Sequence, residues 1–147
     1  MHEALLAAYQ ATDYRVRLAR GGWAVIRIGQ MLPPELLALA QTRPWGFITA
    51  WNPRSEAAPR TANRLAQKTL LSHLRALPET LSIRPGIGVA ADGRWREPSW
   101  WVIGPSIPAL DALARRFGQF GYLHGQAGAA AQLHLLPPDI SEPPFGA

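Results

Sequence analysis

A chain of 147 residues with 48% hydrophobic and 17% charged residues can bury one sizeable core and is too apolar to be disordered throughout. It has no cysteine, which excludes disulfides, thiolate catalysis and cysteine-held metal and suits a reducing cytoplasm. The net charge of +5 invites a nucleic-acid partner, but all the cations except Lys68 are arginines scattered along the chain, so nucleic acid is not the favoured partner.

The apolar run 4–8 is too short for a signal segment and follows Glu3 rather than a basic stretch. Nothing approaches the ~20 apolar residues of a membrane span. A cytoplasmic protein without a membrane partner is the expectation, and the oligomeric state stays open.

The chain opens on a short helix, Glu3 to Gln10, with Leu5, Leu6 and Tyr9 on its apolar side. Tyr14, Val16 and Leu18 then alternate with Arg15, Arg17 and Ala19, and Gly21-Gly22 reads as a two-residue turn into a partner strand, 23–28. Pro33-Pro34 starts a helix carrying Leu36, Leu37 and Leu39, and Arg43-Pro44 stops it. The apolar run from Trp45 to Trp51 predicts a strand buried on both faces, with parallel pairing to a neighbour open to it.

The longest helix is predicted from about Pro59 to Leu77. Ala62, Leu65, Ala66, Thr69, Leu70, His73, Leu74 and Leu77 form its apolar stripe, and Arg64, Lys68 and Arg75 lie opposite. Two extended segments follow around Asp92-Gly93, running from Leu81 through Val89 and back to Ile103. Ser106 is positioned to cap a helix lined by Ile107, Leu110, Leu113, Ala114 and Phe117, which Gly118 ends. Two last strands, 120–124 and 132–136, complete the order.

The expected fold class is α+β: a mixed, mainly antiparallel sheet of about six strands covered by two or three helices. A single domain over 1–136 would precede a proline-rich tail over 137–147.

Dinucleotide, phosphate-loop, zinc-protease and serine-hydrolase signatures are all absent. Four histidines remain. His2 is terminal, His73 reads as a hydrogen-bonded core residue, and His124 and His134 approach each other across the last hairpin without a third ligand. No metal and no cofactor are expected.

The stronger signal is the segment from Thr49 to Ser55. A loop entering a helix N-terminus offers free N–H groups and a favourable dipole to an anion, and Arg54 and Arg60 flank that terminus. Asn52, Ser55 and Asn63 either line such a pocket or tie the loop down. Glu97 shares a strand face with Trp95, Ser99 and Trp101. It either pairs with an arginine or, desolvated, serves as a general acid or base.

The elements Tyr9 to Tyr14, Phe47 to Ser55, Asn63, Gly88, Trp95 to Ser99 and Phe117 to Gln119 resemble the bacterial domain of unknown function 3293 family, across nearly the whole chain before the tail. Thr49, Asn52, Pro53, Ser55, Asn63, Glu97, Ser99 and Gln119 match its pattern, while Phe120-Gly121 departs from the Asn-Ala common there. The name of that family carries no activity. The expected ligand site is therefore Thr49, Asn52, Arg54, Ser55, Arg60, Asn63, Ser99 and Gln119, binding an anionic small molecule or nucleotide. The alternatives are an enzyme using Glu97 in the same cleft and a basic nucleic-acid-binding domain.

Overall fold

The computed structural model describes residues 3–126 and 128–136; His2 and the expected tail over 137–147 lie outside them. In chain order the elements are α1 (Glu3–Gln10), β1 (Asp13–Arg17), β2 (Trp23–Ile26), α2 (Pro34–Ala40), β3 (Trp45–Ile48), a 3-10 turn (Pro53–Ser55), α3 (Arg60–Ala76), β4 (Ser82–Val89), β5 (Arg96–Ile103), α4 (Ile107–Arg116), β6 (Gly121–Gly125) and β7 (Gln132–Leu135).

All seven strands join one sheet in the order β2-β1-β4-β5-β3-β6-β7. The fold class is α+β as the pattern predicts, with seven strands rather than six among the described residues, and α2, α3 and α4 supply the helix residues of its cores. The parallel pairing considered for the Trp45 strand does not occur. β3 runs antiparallel to β5 (Phe47 opposite Trp101) and to β6 (Phe47 opposite Leu123). Its neighbours come from distant hairpins, so local pattern could not orient them. The Gly21-Gly22 turn is looser than expected. The strands close at Arg17 opposite Trp23, and Gly22 O accepts from the Leu18 N–H at 3.1 Å.

The central strands β3, β5 and β6 alternate between two cores. On one face Tyr14, Val16, Ile26, Trp45, Phe47, Trp101, Ile103 and Leu123 pack with Leu36 and Ala40 of α2. On the other, Ile48, Ala50, Val102 and Tyr122 pack with Leu70 and Leu74 of α3 and Leu110, Leu113 and Ala114 of α4. Ser106 caps α4, its Oγ accepting from the Ala109 N–H at 3.4 Å.

The buried face of α3 is rotated from the one its leucines predict. Asn63, Gln67, Leu70 and Leu74 are buried, whereas Leu65 is 67% exposed. Two amides displace apolar residues from the inner face because each has main-chain partners there. Gln67 Oε1 accepts from the Ala50 N–H at 3.1 Å, and Asn63 binds the loop after β3.

Candidate functional site

β3 gives way to a loop at Thr49 because side chains replace the ladder. Thr49 Oγ1 donates to Pro98 O at 2.7 Å and accepts from the Trp51 N–H at 3.0 Å. Asn52 follows in the left-handed region (φ 46°), a conformation asparagine enters more readily than most residues. Main-chain donors fix how its amide is oriented. The Ala58 N–H donates to Asn52 Oδ1 at 3.1 Å, and the Asn52 N–H donates to Asn63 Oδ1 at 2.8 Å. Asn63 Nδ2 therefore donates to Asn52 Oδ1, at 2.8 Å, which leaves the Asn52 NH2 for the Glu97 carboxyl, whose pKa it lowers.

Two further ties hold this loop against α4. Gly118 O accepts from the Arg54 N–H at 2.7 Å, and Gln119 Nε2 donates to Trp51 O at 3.2 Å. Gly118 has φ 68° and lies so near Pro53 that an added Cβ would sit 3.0 Å from the proline Cβ. The close approach calls for glycine.

At the same end of the sheet a cavity of about 440 Å³ opens between the strands, α1 and the β4–β5 hairpin tip. Its walls are mainly apolar and aromatic: Leu5 and Tyr9 from α1, Tyr14, Phe47 and Trp95. Gly88 forms part of the floor. It stands opposite both Tyr14 and Glu97 in the sheet, and its missing side chain leaves the space open. A volume in this range suits a small ligand.

Glu97 is the buried acid of this cavity, and the exposed Asp92 lies in its wall at the hairpin tip. Glu97 is 7% exposed, and burial drives its pKa up to about 8 against a smaller opposing effect from the Asn52 hydrogen bond. No arginine pairs with it among the described ion pairs. The Tyr9 phenol is pushed up to about 12, first by burial and then by the charge on Glu97. The Tyr14 phenol is also raised, chiefly by burial, and its hydroxyl donates to Tyr9 O at 2.6 Å.

Of the residues singled out from sequence, Thr49, Asn52, Ser55, Glu97, Ser99 and Gln119 line this cavity. Asn63 does not; it is 2% exposed and supports Asn52 from behind. Arg54 is not in the lining either, and Arg60 lines a separate groove. The cation on the cavity wall is Arg94, in the hairpin tip. Sequence reasoning assigned no site role to Tyr9, Tyr14, Gly88 or Arg94. The Tyr9 to Tyr14 element and Gly88 were visible as parts of the family pattern, but nothing local says which cavity they would meet.

His73, His124 and His134 lie outside this lining. His73 packs edge-on against Phe117 with ring centroids 6.0 Å apart. His134 Nε2 is 2.9 Å from Asp111 Oδ1, which also accepts from the Tyr122 hydroxyl at 2.8 Å. The His124 pKa is lowered by burial and by neighbouring His134. No group of three or more potential metal ligands occurs among the described residues, and no described helix is long and apolar enough to cross a membrane.

The family model described as "Protein of unknown function (DUF3293)" matches residues 48–120. The chain resembles that family over the stretch from the end of β3 to the start of β6, which includes every cavity residue except those before Ile48 and those of β6. The match is shorter than the resemblance read from the sequence and leaves out the Tyr9 to Tyr14 element. No curated protein and no solved structure matches the chain.

Proposed function

We propose that this chain is a binding module for a small amphiphilic molecule held in the cavity above Glu97. The observation that carries the reading is chemical asymmetry within one cavity. Aromatic and aliphatic walls surround a buried carboxyl, an amide oriented by main-chain bonds and a phenol. With its pKa near 8, Glu97 carries a proton at neutral pH and donates a hydrogen bond to an acceptor on the ligand. The apolar body lies against Phe47, Tyr14 and Trp95, and an acidic group meets Arg94 at the hairpin tip. An anionic ligand is thus accommodated by Arg94 rather than by the start of α3.

The test is a thermal-shift screen of small carboxylic acids, phosphorylated metabolites and nucleotides against the full chain. A ligand at a hundredfold its Kd adds about 2.7 kcal/mol, or a Tm rise of roughly 5–10 °C. That rise should vanish in Gly88→Leu, whose side chain would occupy the cavity. A library without a single cavity-dependent shift would remove the proposal.

A second reading, an enzyme, rests on the same carboxyl. A group with pKa near 8 exchanges protons readily at neutral pH and suits general acid or base work. Turnover abolished by Glu97→Gln while ligand binding persists would favour it over binding alone.

A further inference from the structure

A second concavity lies on the opposite face of the sheet from the cavity. Strand alternation separates the two: Glu97 and Ser99 face the cavity, whereas Arg96 and Pro98 line the second groove. Likewise Gly88 faces one and Ile87 the other.

This groove, of about 480 Å³, is walled by Trp51, Arg60, Arg64, Gln67, Lys68, Ile87, Arg96 and Pro98. Four of its residues are cations and none is an acid. Arg60, Arg64 and Lys68 recur every fourth residue on α3, placing them in a row about 6 Å apart along the helix. All four cations are exposed. None takes part in the ion pairs among the described residues, which use Arg15, Arg27 and His134. Like charges at this spacing oppose helix formation, so the row is a local cost that an anionic occupant would offset. Trp51 stands in the wall half-buried, held by the Thr49 and Gln119 hydrogen bonds to its main chain.

A linear series of cations beside a half-buried indole is the arrangement that takes successive phosphates on charge and a base on the aromatic surface. We infer that the groove formed by Arg60, Arg64, Lys68, Arg96 and Trp51 binds single-stranded nucleic acid. Folding adds Arg96 of β5 to the row that Arg60, Arg64 and Lys68 form on α3.

The experiment follows the anisotropy of a labelled oligothymidylate of about twelve nucleotides titrated with the full chain. With three phosphates neutralised, a fourfold rise in salt should weaken binding about twentyfold. The paired substitution Arg64→Glu and Lys68→Glu should weaken it at least tenfold. The pair Arg115→Glu and Arg116→Glu, an equal charge change on α4, should leave it within twofold. Trp51→Phe should retain binding and Trp51→Ala should lose part of it. No binding at low salt, equal loss in both charge-reversed pairs, or displacement by inorganic polyphosphate as effective as by unlabelled oligonucleotide would each overturn the inference.

Discussion

Asn52 and Asn63 bind each other twice: the Asn52 N–H donates to Asn63 Oδ1 and Asn63 Nδ2 returns a bond to Asn52 Oδ1, both at 2.8 Å. The pair sits between the covering helix and the cavity, and it turns the Asn52 amide toward Glu97. Support and recognition are therefore divided between two residues of the same type.

Removing the buried partner tests that division. Asn63→Ala strips an acceptor from the Asn52 N–H and a donor from Asn52 Oδ1, though the latter keeps the Ala58 N–H. A loss of about 2 kcal/mol is expected, seen as a lower urea midpoint with an unchanged m-value. Asn63→Asp should fall almost as far, because it restores the acceptor and sets a carboxylate oxygen against Asn52 Oδ1.

Glu97 makes stability depend on pH in a direction opposite to that of a salt-bridged carboxylate. Its folded pKa of about 8 lies above the ordinary 4.5, so between those values the unfolded chain sheds a proton that the folded chain keeps. Stability is then highest below pH 4.5 as far as this group is concerned, falls as pH rises toward 8 and levels off above it. The effect is on the order of a few kcal/mol. Glu97→Gln should flatten the profile of urea midpoint against pH and should be more stable than the parent at pH 8. An unchanged slope would mean that the carboxyl is solvated.

Two glycines on β4 separate cavity from core. An added Cβ at Gly88 would make only ordinary contacts, the nearest being Thr12 Cγ2 at 3.6 Å. At Gly86 it would lie 2.7 Å from the Phe47 ring and 2.9 Å from the main-chain oxygen of Arg15. Gly88→Ala should therefore change stability by less than about 1 kcal/mol, and Gly86→Ala should cost about 1–3 kcal/mol through overpacking. Thermal melts of the two variants, run beside the parent, check the contrast.

The elements themselves were legible because each has a strong local cause: proline and glycine punctuation, alternation in β1 and a serine cap before α4. The inner face of α3 was not, since leucine spacing points to Leu65, and only tertiary partners explain why Asn63 and Gln67 take the buried positions. The orientation of β3 was hidden for a similar reason, as both its neighbours lie more than fifty residues away in the chain. Thr49, Asn52, Glu97 and Gln119 could be nominated by residue type, and they share one cavity because the ends of β3 and β5 and the loop before β6 meet at one end of the sheet. Arg60 was attractive as a flanking cation. It lines the other face instead, because α3 packs on the side of Val102 and Ile48.

The cluster around Asp111 offers a test of how the buried Tyr122 hydroxyl is satisfied. Tyr122 is 3% exposed. Its hydroxyl lies 2.8 Å from Asp111 Oδ1 and 3.3 Å from Ile107 O, and one proton can favour only one acceptor. The shorter contact is to a carboxylate and should dominate, since hydrogen bonds to charged groups are the stronger kind. Tyr122→Phe should then cost about 1–2 kcal/mol. Asp111→Ala should cost a similar amount, because the hydroxyl falls back on the more distant carbonyl and His134 Nε2 loses its 2.9 Å neighbour. The double variant should show a coupling of at least ~0.5 kcal/mol in a urea-denaturation cycle. If the two losses simply add, the hydroxyl is held by Ile107, and Asp111 acts on His134 alone.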